Sequence, residues 1–461
     1  MPGPDGGRTA RVPRAGSAGR VPGARIRRGI RLAPAGPGAD TGAVRTARTS
    51  TSAPVRTSRA ATTHALAGAL SSARAVRPRA AGAAPAARAA AAAVTAVLGA
   101  GAAAVAAGRL AGDAALRIRP DRPLPTEPRL TVHSVTADRI TLTRDLASAR
   151  PGVHGLVDAS AAGAHAVVGP VDENAPHTPD TVVRRLERIT RGSLEPGAKV
   201  WLTPQVHTGD PRSALGLEYE DTHIPGELGP LPAWFVPAAR DTWVIAVHGL
   251  GTTREHPLAL LDLLHRRKFP VLIPAYRGDP GAPRSPDGLN HLGETEWRDV
   301  DATLGHAVRH GAERVILYGW STGATMALHT AARSPLRDRI VGLVLDSPVL
   351  DWAATVRALA AARGTPRLLL PLAVRAAQGR GAHASDRAAP VIAPDAVRVP
   401  SLLLHGPDDT IAPWAPSLRL ADRLPSLVSL HTVRDAPHGA LWNADPAAYE
   451  EALRRFLVPL T

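Results

Sequence analysis

The chain has 461 residues, enough for one large enzyme domain with extensions. It contains no cysteine, which excludes disulfides, thiolate metal sites and cysteine catalysis and leaves the compartment open. The formal charge of +15 suggests nucleic acid only until it is located: residues 1–88 hold 16 arginines against Asp5 and Asp40, a net +14, so everything after them is nearly neutral.

That first segment is rich in Gly, Pro, Ser, Thr and Ala and cannot bury a core, so residues 1–88 read as a disordered basic tail. It has no aromatic residue on which bases could stack, and no nucleic-acid partner is expected. Residues 89–108 are free of charge between Arg88 and Arg109, about the length a helix needs to span a bilayer. They predict a transmembrane helix or signal anchor, with a cleaved signal or an Ala-rich soluble helix as the other readings. If the segment inserts, the arginine-rich tail stays inside and the remainder faces outward, as a single-pass membrane protein. Secreted and cytoplasmic forms are the alternatives.

Residues 120–240 predict a β-rich accessory region. Its apolar runs at Leu130–Val135, Arg139–Leu142, Val153–Val157, Ala166–Val168, Thr181–Ile189 and Lys199–Leu202 are separated by Gly, Pro and Asp. Its role is not legible. From residue 241 to 461 the pattern changes to buried strands alternating with helices, the signature of a mostly parallel sheet covered on both faces. Strands are expected at Trp243–Val247, Val271–Pro274, Arg314–Tyr318, Ile340–Leu345, Ser401–Leu404 and Ser429–Val433. Helices are expected at His256–Arg267, Trp297–Arg309, Ala324–Arg333, Leu418–Leu424 and Pro446–Leu457. The long connection over about 348–400 has room for a small helical cap over the site.

Gly319-Trp320-Ser321-Thr322-Gly323 is a G-x-S-x-G pentapeptide placed after an apolar strand and before a helix, where a strained turn exposes a serine hydroxyl. A serine needs a base, and in this chain order the base follows the acid near the C-terminus. His438, in a loop just after the last strand, fits. The acid should follow a strand between the two, and Asp409 after Leu402-Leu403-Leu404 is the choice over its neighbour Asp408, which reads as a turn-closing residue. An oxyanion hole needs two backbone donors. Thr322, next to the nucleophile, supplies one, and Leu250 in His248-Gly249-Leu250-Gly251 the other. His248 reads as a brace for that loop, Asp346 and Asp351 as capping or turn residues that could also reach the pocket, and the Trp297–Asp301 stretch and Trp352 as packing. No zinc, phosphate-loop or dinucleotide motif is present, and no cofactor is expected.

With these motifs, Tyr276-Arg277-Gly278, His291-Leu292-Gly293, Glu296-Trp297 and Leu345-Asp346-Ser347-Pro348 complete a resemblance. The last 230 or so residues resemble the serine-aminopeptidase and monoacylglycerol-lipase-like branch of the α/β-hydrolase superfamily, in particular actinobacterial members with an N-terminal extension. The resemblance implies an α/β-hydrolase fold, a triad of Ser321, Asp409 and His438, and oxyanion donors at Leu250 and Thr322. Ala324 departs from it, since many members carry a second glycine there. The expected function is hydrolysis of a small acyl ester, less readily a peptide, through an acyl-serine. The rivals are a non-catalytic binding or envelope protein on the same fold and an acyltransferase with an acceptor other than water.

Overall fold

The computed structural model describes residues 85–117, 122–159, 163–379 and 397–460. Up to residue 84, the expected tail lies outside them. Helix α1 (Pro85–Leu116) comes first. Among the described residues no helix is long and apolar enough to cross a membrane, and the span expected at 89–108 finds no support there. The end of α1 is instead part of the folded protein, with Ala115 and Leu116 fully buried.

Six strands follow, β1 (Leu130–Val135), β2 (Arg139–Thr143), β3 (His154–Asp158), β4 (His165–Val171), β5 (Thr181–Arg191) and β6 (Lys199–Thr203). They close into an antiparallel barrel in the order β1-β2-β5-β4-β3-β6. Closure removes both sheet edges. Alternate residues fill the interior, among them Val132, Leu142, Leu156, Ala166, Val168, Val182, Val200 and Leu202. Arg184 is fully buried, and its guanidinium donates to the carbonyls of Ser148, Arg150, Gly152 and Gly169 at 2.7–3.0 Å. These bonds fix the loop before β3, and burial together with Arg150 brings the guanidinium down to about 10.

A short helix α2 (Pro211–Leu215) leads to β7 (Glu220–Gly226) and β8 (Gly229–Val236). Then come β9 (Thr242–Val247), α3 (Leu258–Arg266), β10 (Val271–Pro274), α4 (Trp297–Arg309), β11 (Arg314–Trp320), α5 (Thr322–Arg333) and β12 (Ile340–Asp346). Helices α6 (Trp352–Ala362) and α7 (Leu370–Gln378) precede β13 (Ser401–His405), α8 (Trp414–Arg423), β14 (Val428–Thr432), α9 (Leu441–Ala444) and α10 (Pro446–Leu457). One eight-stranded sheet runs β14-β13-β12-β11-β9-β10-β8-β7, parallel except where β8 pairs antiparallel with β10 and β7. The catalytic sheet therefore starts at Glu220, within the stretch read as accessory. Strand alternation divides the core: Ile245, Val247 and Leu317 pack under α4, α5 and α8, while Val244, Ala246 and Ile316 pack under α3 and α10. Each fully buried Val, Leu or Ile side chain among them contributes roughly 1.5–3 kcal/mol.

In sequence order β10 lies to one side of β9 and β11 to the other, so the carboxyl ends of β9 and β11 open a crevice between diverging connections. The glycine after β9 and the serine after β11 meet there. The connection expected to hold a cap carries two helices over its described part. Helices α6 and α7 pack on each other and on α1, with Val356, Leu359, Ala360, Ala373, Val374 and Ala377 buried beside Ala115 and Leu116. A Cβ at Gly112 would lie 2.7 Å from the Ala373 carbonyl oxygen, so the α1 and α7 backbones touch.

Candidate active site

Ser321 sits at the turn from β11 to α5 with φ 53° and ψ −117°, a conformation costing roughly 1–3 kcal/mol for a residue with a side chain. The two flanking glycines allow it. A Cβ on Gly319 would lie 2.2 Å from the Gly323 carbonyl carbon, and one on Gly323 would lie 2.2 Å from the Val247 oxygen. The turn is therefore wedged between two strand ends, and Ser321 Oγ is fixed at the crevice.

His438 follows β14, and its Nε2 lies 2.6 Å from Ser321 Oγ. Its Nδ1 lies 2.6 Å from Asp409 Oδ2, and since an ionised carboxylate only accepts, Nδ1 carries the proton and Nε2 is free to take one from the serine. Asp409 Oδ1 accepts from the amides of Ile411 and Ala412, both at 2.8 Å. Oδ2 also accepts from His405 Nε2 at 3.0 Å, and His405 Nδ1 in turn accepts from Ser417 Oγ at 2.7 Å. Burial alone would raise the Asp409 carboxyl, but the charge and hydrogen bonds of His438 and His405 outweigh it and hold the group well below the usual carboxylate range. Asp408 instead accepts from the Asp435 amide at 2.8 Å and closes the turn facing it.

A second layer supports the histidine loop. Gly439 N–H donates to Ser347 Oγ at 3.2 Å, Ser347 Oγ donates to Asp346 Oδ1 at 2.8 Å, and Tyr449 donates to Asp346 Oδ2 at 2.9 Å. Burial pushes the Asp346 carboxyl up to about 6. Asp346 is thus a buried brace behind the loop and does not line the cavity, and Asp351 caps α6 by accepting from the Ala354 amide at 2.9 Å. His248 braces its loop through Asp279, with 2.7 Å between Nε2 and Oδ2. Asp299 clasps Arg277 at 2.7 and 2.9 Å, and Trp352 donates to the His291 carbonyl at 3.3 Å.

Leu250 lies in the turn after β9, and a Cβ on the preceding Gly249 would stand 2.6 Å from Ser321 Cβ, so this turn lies against Ser321. Thr322 is the first residue of α5, where an N–H has no intrahelical partner and the helix dipole is positive.

Ser321 and His438 open into a cavity of about 400 Å³. Its catalytic-side wall includes Leu250, Trp234, His256 and Trp320, and its far wall is the barrel, through Val157, His165, Trp201 and Gln205. None of the described residues 348–379 lines it, and the barrel forms its far side. Burial, with the charges of His248 and His438, holds His256 down to about 3, and burial likewise lowers His165, so both are neutral near pH 7. The barrel is fastened beside Ser321 and His438. Asn443 on α9 donates to the carbonyls of Val153 at 2.9 Å and Pro204 at 3.1 Å, and its own carbonyl accepts from the Val153 amide at 2.8 Å. Gln205 joins the Thr253 amide at 2.8 Å and Glu255 at 3.1 Å.

Residues 244–459 match the Alpha/beta hydrolase family. That segment is an α/β-hydrolase domain. This hydrolase also matches a domain of unknown function (DUF8805) over residues 131–203, the span of the barrel. It is 24% identical over 247 residues to the uncharacterized protein YfhR of Escherichia coli K12, covering 51% of this chain and 76% of that one. Similar solved structures include an esterase of Pyrococcus furiosus (22% identity, 55% of this chain and 94% of that one, TM-score 0.46). Another is a Thermogutta terrifontis esterase (20% identity, 52% and 99%, TM-score 0.38).

Proposed function

We propose that this hydrolase cleaves carboxylic esters through an acyl-serine intermediate, with Ser321 as nucleophile, His438 as general base and Asp409 as the acid that orients the imidazole. The observation that carries the reading is the unbroken run of short contacts, 2.6 Å from Ser321 Oγ to His438 Nε2 and 2.6 Å from His438 Nδ1 to Asp409. The serine proton passes to Nε2 as Oγ bonds to the ester carbonyl carbon, and the amides of Leu250 and Thr322 receive the developing oxyanion. Collapse breaks the bond to the alcohol, which leaves with the proton from Nε2. A water then repeats the sequence, releasing the acid and the free serine. Asp409 stabilises the transient imidazolium without taking its proton.

An ester is favoured over a peptide with a free amine because the carboxylates of the cavity are already engaged. Glu127 pairs with Arg150 at 2.6 Å, Glu255 bonds Gln205 and the Gly209 amide, and Asp279 bonds His248 and the Tyr276 amide. An ammonium would have to compete with these partners for each of them. On the motifs that surround the triad, we place the chain in the serine-aminopeptidase and monoacylglycerol-lipase-like branch. The test is fluorophosphonate labelling of the full chain and hydrolysis of p-nitrophenyl esters. Labelling should vanish in Ser321→Ala and His438→Ala, and Asp409→Asn should lower kcat by about 10⁴-fold with little change in KM. A folded wild-type chain that neither labels nor turns over would overturn the mechanism and favour a binding protein.

A further inference from the structure

The barrel has a patterned outer face. On β6, Val200 and Leu202 point inward, which turns Trp201 outward; on β3, Leu156 is inside and Val157 outside; on β4, Ala166 and Val168 are inside and His165 outside. In the barrel's register Val157 is paired with Trp201 on one side and with His165 on the other, so the three form a row across β6, β3 and β4. A tryptophan on the outside of a small barrel ordinarily meets solvent, yet Trp201 is only 5% exposed. All three residues line the cavity that holds Ser321 and His438.

The row is also held rigidly. The His165 ring is pinned between Thr190 Oγ1 at 2.6 Å and the Gln205 carbonyl at 3.0 Å, and Gln205 is itself tied to the loop before α3. Across the cavity stand Trp234, Leu250 and Trp320. We propose that the Trp201–Val157–His165 row is the specificity wall of the site, a fixed lid that confines turnover to esters whose acyl or alcohol group is compact. The proposal rests on the ester-hydrolase reading above, and it gives the barrel a role: it sets the depth of the cavity beside the nucleophile. Trp201 fills the space that a longer chain would need, and Val157 leaves the space that a short chain occupies.

The experiment uses the full chain and two substrate series, p-nitrophenyl esters from acetate to dodecanoate and acetates of alcohols of the same lengths. Trp201→Ala is expected to raise the ratio of kcat/KM for the ten-carbon over the four-carbon member by at least about tenfold in one series. Val157→Trp, at a half-buried position, should lower the same ratio by a similar factor, and Ile189→Ala, on an exposed part of β5, should leave the wild-type profile unchanged. If Trp201→Ala does not fold, Val157→Trp alone decides. A folded variant that turns over esters with the wild-type length profile in both series overturns the wall. Wild-type protein without fluorophosphonate labelling or turnover instead overturns the ester reading on which the wall rests.

Discussion

Two neighbouring aspartates, Asp408 and Asp409, show how finely the site depends on single positions. Asp409 has all its acceptor positions filled by two imidazoles and two amides, whereas Asp408 meets one backbone amide across a turn. Sequence spacing favours Asp409, but only folding places His405 on the same oxygen as His438. His405-Gly406 belongs to the motifs that carry the resemblance, but a motif does not say which oxygen the ring will meet. Asp346 offers a test at this scale. Its carboxyl is raised from 3.8 to about 6 by burial, so between these values the folded protein binds a proton that the unfolded chain has lost. Its contribution is most favourable below about pH 4, falls as pH rises through that window, and above pH 6 leaves a cost of roughly 3 kcal/mol. Asp346→Asn should therefore gain stability relative to wild type on going from pH 4.5 to pH 7.5, read from urea midpoints at each pH. A difference that does not change with pH would show that the carboxyl is not raised.

Among elements, the barrel and the catalytic sheet are joined by short polar contacts. A Cβ at Gly152 would lie 1.9 Å from the Asn443 carbonyl oxygen, so the loop before β3 sits directly on α9, a few residues past His438. Asn443→Ala would leave the carbonyls of Val153 and Pro204 without their donor, a loss of about 1–3 kcal/mol. We expect a lower melting temperature together with a fall in kcat/KM for esters, because the same helix carries the loop of the base. Loss of stability with unaltered ester kinetics would uncouple the barrel from the triad. At this scale the sequence shows the six barrel runs and the six parallel strands but hides β7 and β8. Pro225, Pro230 and Pro232 interrupt their pattern, and proline is tolerated near a sheet edge where no partner needs the missing N–H.

The whole molecule joins three parts that the sequence presents as separate: an Ala-rich helix, a small β unit and a catalytic sheet. Helix α1 buries its last residues against α6 and α7, and a Cβ at Gly108 would lie 2.7 Å from Leu372 Cβ. A chain starting at Pro123 should melt below one starting at Pro85 and should bind a hydrophobic dye at the uncovered α6 and α7 surface. Equal melting temperatures and no dye binding would show that α1 contributes nothing to the fold. The sequence by itself determined the α/β class, the serine turn and the chain order of Ser321, Asp409 and His438, because strand periodicity and turn chemistry are local and survive in one dimension. What covers the nucleophile was decided only in three dimensions. Trp201 and Ser321 are 120 positions apart, and their approach depends on barrel closure and on Asn443 and Gln205, contacts that leave no periodic trace in the chain.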